Sequence, residues 1–211
     1  MTRSRSRVRI EPTLESVKGT RVRLAVIRIG AVAAVVAGVC WVIKSGGILL
    51  TGEQPPLLFD AALMLFPVAL IGLYAALGRG SGWIAAYGFG LALAATASAL
   101  VMGIAALFGP DDWQPDGDSV TILTPFIAVA GFGTFAALLL LGLAARRATA
   151  LDPRWRILPL AVAVSAVPLM VSGSVLELGN ERLVELPVLL LGAAWVAIGG
   201  VLARATVKPQ E

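Results

Sequence analysis

The chain has 211 residues, of which 58% are hydrophobic and 14% charged, and its mean hydropathy is +0.87; a soluble domain this apolar would lack the polar residues to cover its own surface. The net charge of +4 does not mark a nucleic-acid binder, because the basic residues flank apolar blocks instead of gathering on one surface. One cysteine, Cys40, and no histidine leave no intramolecular disulfide, no paired-thiol motif and none of the usual imidazole chemistry, so no cofactor or metal is expected.

Residues 1–23 are polar and basic. Arg3, Arg5, Arg7 and Arg9 recur with a period of two that suits neither a helix face nor a half-buried strand, and the stretch reads as a disordered cytoplasmic tail. The first apolar block, 24–43, is longer than the core of a secretory signal, and the Lys44-Ser45-Gly46-Gly47 behind it offers no small-x-small cleavage site. Val39 directly before Cys40 also departs from a lipoprotein attachment pattern.

Further blocks follow at 57–77, 82–108, 120–145, 157–176 and 183–203. Each is about the length at which a helix crosses a hydrocarbon core of about 30 Å. They are apolar all round, without the alternation of barrel strands, and a backbone in lipid must satisfy its own hydrogen bonds. The predicted fold is an all-α integral membrane protein: one bundle of six transmembrane helices over 24–203, joined by short loops, with a short tail at 204–211.

With the amino terminus inside, 15 of the 17 Lys and Arg residues fall in cytoplasmic segments, and only Lys44 and Arg182 lie outside. The positive-inside rule therefore places both termini in the cytoplasm of a multi-pass protein in the cell (inner) membrane. Trp41, Trp83 and Trp155 are expected at the interfaces, Trp195 inside the last span and Trp113 in a loop. Pro67, Pro125 and Pro187 recur in the even-numbered spans and hint at a repeated hairpin. Small residues four apart, Gly30-Ala34-Gly38 and Gly90-Ala94-Ser98, are expected to let helices of the bundle pack closely.

The candidate solute or ion contacts are the charges at the outer face: Lys44, Asp60, Glu177, Arg182 and Glu185, with Glu181 beside them. Asp60 and Glu185 lie a few residues inside apolar blocks, where a carboxylate is costly unless paired or hydrated. Both are expected to reach the headgroup level near a helix end. The alternative is a water-filled vestibule in which Lys44 or Arg182 balances them.

Asp111, Asp112, Asp116 and Asp118 form an oxygen-rich loop, but Gln114 and Leu123 stand where a calcium loop needs ligands, so it reads as a solvated external loop. Ser172 and Ser174 lack a histidine base and are not expected to act as nucleophiles. The basic amino-terminal tail is expected to attract anionic lipid headgroups of the bilayer. No motif designates a protein partner. The function expected is that of a non-enzymatic membrane component or accessory subunit; the alternative is a small-solute or ion transporter or channel working through the outer carboxylates.

Overall fold

The computed structural model describes residues 14–53, 55, 58–78, 81–110, 120–148 and 151–206. Among them the regular structure is all helical: α1 (Leu14–Thr51), α2 (Leu58–Leu77), α3 (Gly82–Phe108), α4 (Thr124–Ala145), α5 (Leu158–Glu177), a 3₁₀ turn (Glu181–Val184) and α6 (Glu185–Ala205). All six α-helices are long and apolar enough to cross a membrane, which is the architecture of a helical multi-pass membrane protein.

Five of the helices lie within a few residues of the apolar blocks, but α1 outruns its block at both ends. It has 38 residues and is about 57 Å long. The stretch read as a disordered tail is thus helical from Leu14 onward, while residues 1–13 lie outside the described residues. Extending a helix already held by packing adds one hydrogen bond per residue fixed and needs no new nucleus, so a polar segment without proline continues it readily. At the other end the helix passes through Gly46-Gly47, because Ile48, Leu49 and Leu50 follow. It stops where Gly52 takes φ 80° and its amide donates to the Ile48 carbonyl at 2.9 Å.

Each helix packs on its neighbours in the chain, α1 closes the ring against α6, and α2 also reaches α4. The helices are antiparallel along the chain, so α1 begins and α6 finishes at one end, here termed basal; the opposite end is distal. The closest approaches are between glycines. A Cβ on Gly30 would stand 2.5 Å from the Gly72 Cα of α2, and one on Gly38 would stand 2.5 Å from the Gly192 carbonyl oxygen of α6. The first small-residue stripe thus packs against two helices. The second packs only at Ser98: Gly90 and Ala94 are exposed, and α3 buries Ala85, Gly88, Ala92 and Ala95 beside Ser98.

The centre is aromatic. Phe66 of α2 stands edge-on to Trp41 (centroids 4.7 Å apart) and tilted to Trp195 (4.5 Å), in a core that also fully buries Leu70, Leu138, Leu141 and Leu191. Trp41 is therefore a core residue, 5% exposed and packed inside the bundle, and α1 runs on beyond it to Thr51. Trp83 and Trp155 do lie at the basal surface, Trp83 exposed against Tyr87 and Trp155 under the Arg204 guanidinium. The proline pattern also changes. Pro67 and Pro168 are the prolines inside helices, whereas Pro125 and Pro187 sit in the first turns of α4 and α6, where a proline breaks no intrahelical hydrogen bond. The three prolines of the even-numbered spans thus do not occupy equivalent places in their helices.

Candidate functional site

The extension of α1 beyond residue 43 carries Lys44 and Ser45 into the bundle, opposite the start of α6. The chain arrives at α6 through the 3₁₀ turn, which Asn180 caps by accepting the Arg182 backbone N–H on its side-chain oxygen at 2.9 Å. That tight turn delivers Glu185 as the first residue of α6, where a negative charge is favourable at the helix N-terminus.

The two helices then meet through charge. Lys44 Nζ donates to Glu185 Oε1 at 2.6 Å, and Ser45 Oγ donates to Oε2 at 2.7 Å, so both carboxylate oxygens are engaged. All three residues are buried, Ser45 completely. The Phe59 ring of α2 adds a face 5.7 Å from Nζ, within the range of a cation–π contact. Charges removed from water are tolerated only where partners replace the lost hydration, and this cluster supplies them from three helices.

The other candidate residues stay apart. Asp60 is exposed in the first turn of α2, Glu177 is exposed at the last residue of α5, and Glu181 is exposed in the 3₁₀ turn. Arg182 is exposed and lays its guanidinium over Gly52, close enough that a Cβ there would meet Nη2 at 2.6 Å. Of the five charges singled out from the sequence, only Lys44 and Glu185 come together. Glu185 takes the inward, lysine-balanced arrangement, and Asp60 stays at the surface.

Ser45 and Phe59 were missed by the sequence reading. The signal for Ser45 was the apolar Ile48-Leu49-Leu50 behind the two glycines, which keeps the helix going and makes residue 45 part of a buried face. The acidic loop at 111–118 lies outside the described residues. Ser172 and Ser174 are exposed on α5 and donate to their own helix, to the Leu169 and Met170 carbonyls. Among the described residues no group of three or more acidic, Cys or His side chains is placed to hold a metal ion.

Chemically, the cluster holds a hydroxyl against a carboxylate, but the hydroxyl is shut away from lipid and water alike. Below it, one turn deeper, Trp41 and Thr134 line a cavity of about 30 Å³, room for a single small molecule at most. The Trp41 Nε1 proton has no hydrogen-bond partner among the described residues, while Thr134 Oγ1 donates to the Ala130 carbonyl. At the basal end Arg23 caps α2, its Nε donating to the Ala75 carbonyl at 2.9 Å, beside a stacked Tyr74–Phe89 pair. No family model matches the chain, and no curated protein or solved structure shows significant similarity to it.

Proposed function

We propose that the protein is a non-enzymatic component of the cell membrane, an accessory subunit or assembly partner, in which the distal charges hold the bundle together. The observation that supports this reading is the complete internal engagement of Glu185. A carboxylate that handles a travelling cation must offer it an oxygen, and here one oxygen faces Lys44 and the other Ser45. Among the described residues the remaining distal charges are exposed and dispersed. For orientation, the basal end carries Arg21, Arg23, Arg28, Arg146, Arg147, Arg154, Arg156 and Arg204, against Lys44 and Arg182 at the distal end. That asymmetry supports a cytoplasmic basal end and cytoplasmic termini.

The test combines flux with isolation. Wild-type protein in liposomes is expected to pass no ion or small solute across a broad panel. Extracted in mild detergent, it is expected to carry a protein partner at fixed stoichiometry. A solute flux that disappears in Glu185→Gln would overturn this reading in favour of a transporter. The observation on the transporter's side is the burial of an ion pair in an apolar bundle, which is costly and often retained for function.

A further inference from the structure

We infer that the groove between α1 and α2 at the basal end binds an anionic glycerophospholipid, with its phosphodiester on Arg28 and an acyl chain along the groove. This goes beyond the proposed function and does not depend on it.

The case begins with the depth of Arg28. Gly30 of α1 packs beside Gly72 of α2, and α2 continues for five more residues, about 7.5 Å, to its basal end at Leu77. Arg28 lies two residues, about 3 Å, from Gly30 in the same direction, so its Cα is some 4–5 Å short of the basal end of the apolar helix α2. It does not face the bundle. Arg28 is exposed, and the residues that continue its face of α1, Ile29, Val32 and Val36, are exposed as well, as a lipid-facing stripe should be. A guanidinium in that position, which stays charged, is well satisfied by an anion at the headgroup level. A helical side chain leans toward the N-terminus of its helix, which for α1 is the basal end, so Arg28 is set to reach outward to the headgroups along its own stem.

Three of the basal arginines are used by the fold itself. Arg23 bonds the end of α2, Arg156 Nε donates to the Leu151 carbonyl at 2.9 Å, and Arg204 covers Trp155. Arg28 has no side-chain hydrogen bond or ion pair among the described residues. It stands instead at the head of a groove of about 370 Å³, whose walls are Ile29, Val32 and Val36 of α1 and Leu65 and Val68 of α2. From residue 28 to residue 36 the groove follows α1 for about 12 Å with no polar residue beyond the arginine. One cation at headgroup reach above an apolar channel parallel to the helix axis is the complement of a phosphate joined to an acyl chain. A planar guanidinium engages phosphate oxygens in a bidentate manner, and a net negative lipid matches the charge better than a zwitterion.

The experiment is native mass spectrometry of the full chain, released from detergent containing equal amounts of phosphatidylglycerol and phosphatidylcholine. Wild type is expected to retain one phosphatidylglycerol in preference. Arg28→Gln should weaken that retention by about fivefold, the value of one basic residue near an anionic surface, while Arg28→Lys, which keeps the charge but not the planar fork, should lose less. Val32→Phe, at an exposed position, should fill the groove and reduce retention of both lipids with the charge intact. Equal phosphatidylglycerol retention by wild type and Arg28→Gln would overturn the proposal. So would an Arg28-dependent protein in place of lipid, since the anion would then belong to a partner helix. Should Arg28→Gln fail to fold, the contrast between Val32→Phe and wild type decides.

Discussion

Removing either partner of the Lys44–Glu185 pair leaves the other charge buried without its counter-ion. Lys44→Met or Glu185→Leu alone is therefore expected to lower stability by about 3–5 kcal/mol, and the two together by much less, because the double variant replaces two desolvated charges by apolar groups. Thermal unfolding of the three variants in one detergent checks this; losses that simply add would mean that the pair is not coupled. Ser45→Ala removes a hydrogen bond to a charged acceptor and should cost about 1.5–3 kcal/mol. As charges at the edges of apolar blocks, Lys44 and Glu185 stood out in the sequence. Their pairing did not, nor did the difference between Glu185 and Asp60. Both depend on which side of its helix each carboxylate occupies once α1 and α6 are in register, and that register is a tertiary property.

Helix register in turn depends on where two backbones can touch. Gly38 and Gly90 are both glycines of long apolar helices, yet they should respond in opposite ways to alanine. At Gly38 a methyl group would collide with the backbone of α6, and at Gly90 nothing lies within 4 Å. Gly38→Ala is expected to destabilise by about 1–3 kcal/mol through overpacking. Gly90→Ala is expected to stabilise by about 0.4–1 kcal/mol, because alanine gives up less backbone freedom in a helix. A stabilised Gly38→Ala would disprove the close α1–α6 contact. The six helices were legible in the sequence because blocks of about 20 apolar residues have few other solutions in a membrane. The full length of α1 was not, since its polar amino-terminal extension carries no hydropathy signal and the apolar Ile48-Leu49-Leu50 lies behind Lys44-Ser45-Gly46-Gly47, which reads as a break. The second small-residue stripe failed except at Ser98 for a related reason: in an alanine-rich helix many faces are smooth enough to pack, and the neighbour selects one.

For the molecule as a whole, the separation of arginines from the distal charges predicts which surfaces face the cell exterior. In a Cys40→Ala background, Thr51→Cys and Asn180→Cys are expected to react with an impermeant thiol reagent on intact cells, whereas Arg147→Cys and Arg154→Cys are not; the reverse pattern would invert the orientation. The ion pair also has a consequence in time. Its partners are 141 positions apart. At a synthesis rate of about 5–20 residues per second, Lys44 is made roughly 7–28 s before Glu185 exists. Throughout that interval the first helix carries a cation whose counter-charge has not been made, and the pair closes only on chains that extend into α6. A truncated chain ending at Asn180 is therefore expected to decay faster in a pulse-chase than the same truncation with Lys44→Met; equal decay would show that the unmatched lysine is not read. On the expected outcome, the clamp between α1 and α6 would separate chains that have reached α6 from chains interrupted before it.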